Sequence, residues 1–280
     1  MTLAPAAYLF YGPPGGGKTT LGVSAFWDFK KQEKIREGRL LLFGSEENEA
    51  LGVPEEMIKR FSHPDKPLTF VKEFVTYMKA RHQAVGKPGE PEVYCFDGMS
   101  EWNTSYLYEH QESRGDTGWD RWNEAKDHFI QVIKLMNPKA LNADVIVTAR
   151  VDEVRRAVKN RRGDEVVPAD PAWITEDSQY VPAMTGKWPR QNLGHFFALV
   201  SYVEAGRGQV EGSKKEVPIH RYYMLPHEGF LVKNHWEYQW VQAGKPDYLV
   251  NATFDSLRGE IEDAVQKSTA SGPGDSDAAQ

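Results

Sequence analysis

The stretch Tyr8-Leu9-Phe10-Tyr11-Gly12-Pro13-Pro14-Gly15-Gly16-Gly17-Lys18-Thr19-Thr20 decides how the rest of the chain is read. Four uncharged, largely apolar residues predict a short buried strand, and from Lys18 to about residue 34 the pattern predicts a helix. The turn between them has glycine at the positions where main-chain N–H groups must face inward around phosphates, and side chains there would obstruct. The amino end of the following helix adds favourable potential for an anion. In such a loop Lys18 is expected to reach the β- and γ-phosphates of a nucleoside triphosphate, and the Thr19 hydroxyl to ligate Mg²⁺. Gly12, Pro13, Pro14, Gly15, Gly16, Gly17, Lys18, Thr19 and Thr20 form the expected ATP-binding set.

Outward from the loop, short apolar runs at 40–43, 93–96 and 145–148 predict buried strands, and the spacing predicts helices over 71–81 and 122–136. Alternation of this kind predicts an α/β fold whose mainly parallel central sheet is flanked by helices. Runs at 196–203, 221–225 and 230–232 predict antiparallel strands added at the C-terminal side. The alternating Trp236, Tyr238 and Trp240 read as a strand, and 255–267 as a final helix. At 280 residues, 40% hydrophobic and 26% charged, the chain is expected to form one domain over residues 1–267. Residues 268–280, small and acidic, are expected to be a disordered tail.

The net charge of −6 excludes a uniformly basic surface, so any nucleic-acid contact must come from a local patch. Cys95 is the single cysteine, which excludes an internal disulfide and a cysteine-built zinc site; the histidines lack zinc-ligand spacing. No signal peptide or apolar run of membrane-spanning length is read, so the expectation is a cytoplasmic protein with no membrane partner.

Asp97 ends its apolar strand, where a P-loop fold requires a carboxylate for the magnesium shell. Metal and lysine hold a nucleotide but do not activate water, which needs a further acid. Gly98 follows Asp97, so the acid cannot be the next residue, as it is in AAA+ machines. Glu46, with Glu47 as second choice, follows the strand at 40–43 and is the expected catalytic carboxylate.

Together these motifs resemble the RecA-like ATPases, and in particular the small bacteriophage RecA-like proteins of single-strand annealing and recombination. The resemblance runs to about Trp240. It is carried by Gly12 to Thr20, Ser45-Glu46-Glu47, Asp97 with Ser100, Val147-Thr148-Ala149-Arg150, and Met184-Thr185-Gly186-Lys187 leading to Phe196-Phe197-Ala198-Leu199-Val200. It implies an oligomeric ring or filament with ATP and Mg²⁺ at its sites, single-stranded DNA as ligand, and a single-strand-binding protein as a further partner. For a phage protein the compartment would be the host cytoplasm.

Two departures from the family pattern matter. A glutamine or histidine commonly senses the γ-phosphate where this chain has Arg150 or Thr148. The late Lys-x-Arg reads Lys233-Asn234-His235, so Lys233 alone is left to act on a neighbouring subunit's site. Arg150, Arg155, Arg156, Lys159, Arg161 and Arg162 are opposed only by Asp152 and Glu153. Arg155, Arg156, Lys159, Arg161 and Arg162 are the expected DNA-phosphate contacts, with Trp173, Tyr180 or Trp188 to stack on bases. The same run also reads as a charged hairpin turning at 161–164. A protein-remodelling ATPase without DNA affinity and a P-loop small-molecule kinase are the competing classes.

Overall fold

Tyr8 and Phe10 belong to one hydrophobic cluster and Leu9 and Tyr11 to another, and all four are fully buried. Side chains alternate across a strand, so this one must lie inside a sheet covered on both faces. The computed structural model describes residues 3–43, 52–61, 67–104, 119–153, 158–159, 165–166, 180–184, 192–209, 216–227 and 230–270.

In chain order the elements are β1 (Ala7–Gly12), α1 (Lys18–Val23), β2 (Trp27–Asp28), β3 (Glu33–Lys34), β4 (Gly38–Leu42), β5 (Ile58–Arg60), α2 (Pro67–Ala84) and β6 (Val93–Asp97). Then come α3 (Trp119–Leu135), α4 (Pro138–Leu141), β7 (Asp144–Glu153), β8 (Val158–Lys159), β9 (Glu165–Val166), β10 (Tyr180–Pro182), β11 (Leu199–Gln209) and β12 (Glu216–Tyr223). The last are β13 (Lys233–Asn234), α5 (Glu237–Gln242), β14 (Tyr248–Val250) and α6 (Phe254–Ala270). Residues 99–104 form a helical stretch after β6.

Six strands run parallel in the order β11-β1-β7-β6-β4-β5. β12 and β14 extend the β11 side antiparallel, β13 pairs with the start of β11, and β10 with the far end of β7. The fold is therefore α/β, a mostly parallel central sheet flanked by helices with antiparallel strands. One face packs Leu9, Tyr11, Phe96 and Val147 against Phe74 and Met78 of α2 and Phe129 and Val132 of α3. The other packs Tyr8, Phe10, Cys95 and Ile146 in a cluster with Leu21 of α1, Trp240 of α5, and Phe254, Leu257 and Ile261 of α6. Each such buried side chain contributes about 1.5–3 kcal/mol relative to exposure. Among the described residues no helix is long and apolar enough to cross a membrane.

The start of the sheet is tied to the last helix. Asp144, 4% exposed, accepts from Ala6 N at 2.9 Å and pairs with Arg258 of α6. Arg258 also donates to Leu3 O, and Leu3 N donates to Glu262 Oε1 at 3.1 Å.

Several expected boundaries move. The helix expected to reach residue 34 ends at Val23, because residues 21–27 are buried without interruption and one helix face cannot bury seven consecutive residues. Ser24 Oγ donates to Leu21 O and accepts from Phe254 N, turning the chain toward α6. A β2–β3 hairpin follows, in which Asp28 Oδ1 accepts from Lys30 N and Lys31 N, and Gln32 takes φ 55.

The expected strand at 236–240 is instead α5. Trp236 at its N-cap and buried Trp240 are one helical turn apart, a spacing that fits period 2 and period 3.6 alike. Of residues 230–232 only Phe230 forms isolated bridges, to Tyr180 and His227, in place of a strand, and 193–196 form a 3₁₀ turn before β11. α6 runs to Ala270, so the expected domain end at 267 falls inside a helix; 271–280 lie outside the described residues.

α1 approaches the sheet closely at Gly22, where an added Cβ would sit 2.4 Å from Cys95 Sγ. Burial, with Asp97 nearby, raises the Cys95 thiol pKa well above its usual range, consistent with a packing role. Gly22→Ala is expected to destabilise by about 2 kcal/mol in urea unfolding. The Gly22→Ala/Cys95→Ala double variant should lie closer to wild type than Gly22→Ala alone, because the obstructing sulfur is gone. A double variant less stable than Gly22→Ala would place the clash elsewhere.

Candidate nucleotide site

β1 delivers the chain to the edge of the sheet at Gly12, which pairs with Arg150 of β7. A Cβ at Gly12 would lie 2.2 Å from Val203 O, so the backbones of β1 and β11 meet too closely for any other residue. Gly16 N donates to Pro13 O at 3.2 Å, tightening the loop, and Gly17 starts α1 from φ 82. Lys18 Nζ donates to Gly12 O at 3.0 Å and Pro13 O at 2.7 Å, which holds the ammonium across the loop.

Asp97 is reached from two sides. Thr19 Oγ1 donates to its Oδ2 at 2.9 Å, and the hydroxyl of buried Thr148 on β7 donates to its Oδ1. β7 lies between β1 and β6, so the carboxylate at the end of β6 is braced by the strand separating it from the loop. Gly98 turns the chain at φ 111, and Phe43 N donates to Asp97 O at 3.0 Å, fixing the end of β4 beside it.

Loop and carboxylate line one cleft of about 310 Å³, together with Ser100, Glu101, Arg150 and His220. That volume is at the lower end for small-ligand sites. Of the two expected phosphate sensors, Thr148 is engaged with Asp97, whereas the half-exposed Arg150 guanidinium stands on the cleft wall in an ion pair with Glu101. Arg150 N donates to Ser100 Oγ at 2.9 Å, so its backbone is fixed as well.

Glu101 and His220 are cleft residues that sequence reasoning missed. An acid four residues after Asp97, past a turn-forming glycine, was a usable signal for Glu101. His220 had none, since β12 brings it in from a distant part of the chain. Its ring lies against Gly17, where a Cβ would be 3.1 Å from Cγ and Nδ1, and Nδ1 is buried without a hydrogen-bond partner. Compared with protein-family models and with curated proteins, the sequence matches none. What the site can do chemically rests on the donors and acceptors in this cleft.

Glu46, Glu47, Arg155, Arg156, Arg161, Arg162, Trp173 and Trp188 fall outside the described residues. Lys159 of β8 is the antiparallel register partner of Glu165 of β9. Tyr180 stacks with Phe230 at 5.8 Å and Tyr202 at 6.1 Å between ring centroids, so its ring belongs to an internal aromatic cluster rather than to an open stacking platform. Lys233 Nζ donates to Gly194 O at 2.8 Å and Phe197 O at 2.9 Å, and burial lowers its pKa. A role in a neighbouring subunit would require Lys233 to leave both carbonyls.

Proposed function

We propose that this chain is a RecA-like, magnesium-dependent ATPase that acts on single-stranded DNA in recombination or annealing of the phage type. The hydrogen bond between Thr19 Oγ1 and Asp97 Oδ2 carries the reading. It joins the two hard oxygen donors that P-loop enzymes use for magnesium, at the foot of a loop already shaped for phosphates. The donor set fits: Mg²⁺ is held through one or two protein oxygens plus phosphates and water, and needs no all-protein cage. The mostly parallel sheet is compatible with a RecA-like fold.

Within this reading the main-chain N–H groups of Gly15, Gly16, Gly17 and Lys18 bind the phosphates, and Lys18 Nζ turns from Gly12 O and Pro13 O to the β- and γ-phosphates. Thr19 and Asp97 would hold magnesium, which supplies charge neutralisation between the phosphates. Thr148 fixes the Asp97 carboxylate in place. Arg150 contacts the terminal phosphate from the cleft wall, and Glu46 or Glu47 positions the attacking water. Measuring phosphate release with and without Mg²⁺ tests this directly; turnover that ignores the metal would exclude it.

The basic run supports DNA as the partner, and the family resemblance supports a ring or filament and contact with a single-strand-binding protein. Replacing Arg155, Arg156, Arg161 and Arg162 with alanine is expected to flatten the salt dependence of single-stranded DNA binding, by about 0.7 in log–log slope for each DNA phosphate that is no longer neutralised. Unchanged affinity and slope would remove this run from the interface. Stimulation of turnover by a protein instead of by DNA would favour a remodelling ATPase, and phosphate transfer to a small acceptor would favour a kinase.

A further inference from the structure

β7 and the helical stretch after β6 place a cation and an anion opposite each other at the nucleotide cleft. Arg150 lies within β7 at the register position of Gly12, the first residue of the loop. Its backbone N–H donates to Ser100 Oγ at 2.9 Å, so the main chain from which the side chain reaches the cleft is fixed. Glu101, on the helical stretch 99–104, receives that guanidinium, and both side chains line the cleft with Lys18, Thr19 and Asp97.

Exposure decides how firm this pair is. The Arg150 side chain is 49% exposed and that of Glu101 26%, so solvent screens their attraction and the pair contributes little to folding. A terminal phosphate is a stronger competitor, because it carries more charge than a carboxylate and accepts the same two parallel guanidinium N–H bonds. An exchange of partners across this cleft is therefore cheap in one direction and specific in the other.

We propose that Arg150 and Glu101 form a latch that distinguishes ATP from ADP. Arg150 moves to the γ-phosphate when one is present and returns to Glu101 when it is not. This rests on the nucleotide reading of the same cleft and assigns Glu101 a positioning role. Glu101 makes γ-phosphate recognition conditional, since every ATP must displace it, whereas ADP, ending at the β-phosphate, leaves the pair closed.

The test is a double-mutant cycle read as binding. Affinities for ADP and for the β,γ-imido analogue of ATP, each with Mg²⁺, are measured by calorimetric titration on wild type, Glu101→Gln, Arg150→Ala, Arg150→Lys and Arg150→Ala/Glu101→Gln. Glu101→Gln is expected to tighten the ATP analogue about two- to fivefold and leave ADP unchanged. Arg150→Ala should weaken the analogue about tenfold with ADP unchanged, Arg150→Lys should recover part of that loss, and Glu101→Gln should do nothing further once Arg150 is gone.

Equal changes for both nucleotides, no change for either, or an effect of Glu101→Gln that survives without Arg150 overturns the latch. If Arg150→Ala does not fold, Arg150→Lys and Glu101→Gln still decide it through the ratio of the two affinities. Wild-type protein that binds neither nucleotide would instead refute the nucleotide reading, and the latch with it.

Discussion

Replacing Lys18 with alanine is expected to lower ATP turnover on the order of 10³-fold, with loss of nucleotide binding seen in the same titration. The ammonium lies at the mouth of the loop, within 3.0 Å of Gly12 O and Pro13 O, so it starts beside the site where phosphate charge has to be met. Asp97→Asn should be comparably damaging and should also raise the Mg²⁺ concentration needed for half-maximal turnover. An amide keeps one acceptor for the two hydroxyls but loses the charge that the metal requires. Lys31→Ala is the matching control, since Lys31 is 68% exposed on the β2–β3 hairpin, and its turnover should match wild type. Full activity in Lys18→Ala, measured as phosphate release, would end the ATPase reading.

The second large effect is on stability. Gly12→Ala is expected to cost more than about 3 kcal/mol, because its Cβ would fall 2.2 Å from Val203 O and neither strand can retreat. β1 is hydrogen-bonded to β11 on one side and β7 on the other, from Tyr8 to Tyr11 in both ladders. Gly15→Ala separates backbone strain from collision: nothing lies within 4 Å of its Cβ, and only the φ of +74 opposes the change. It should cost about 1–2 kcal/mol. Urea unfolding of the two variants checks the contrast, and equal losses would mean that the approach of β11 does not explain Gly12.

The parts of the fold legible in the sequence are those written locally. The β1 strand, the glycine loop and the onset of a helix at Lys18 follow from adjacent residues. The runs at 93–96 and 145–148 are apolar because both faces of β6 and β7 are covered. Asp97 could be placed because a charge at the end of such a run marks the sheet edge. The end of α1 was hidden: residues 24–34 can form a helix, and it is the burial of Phe26 and Trp27 that forbids one. Trp236 and Trp240 mislead for the opposite reason, since a spacing of four satisfies two periods. Thr148, Arg150 and His220 reach the cleft through strand order and register, which local sequence does not encode. Glu101 stands four residues past Asp97, where Gly98 turns the chain and the helical stretch beyond it carries the carboxylate back to the cleft.

The clasp of Leu3, Asp144, Arg258 and Glu262 carries a practical consequence. It lies at the beginning of β1 and β7, whereas the cleft lies past the other end of β1, and the six residues of β1 span roughly 20 Å. A molecule attached to a glass or sensor surface through a linker ahead of Leu3 would hold its cleft away from the support, open to nucleotide and to long polymers arriving from solution.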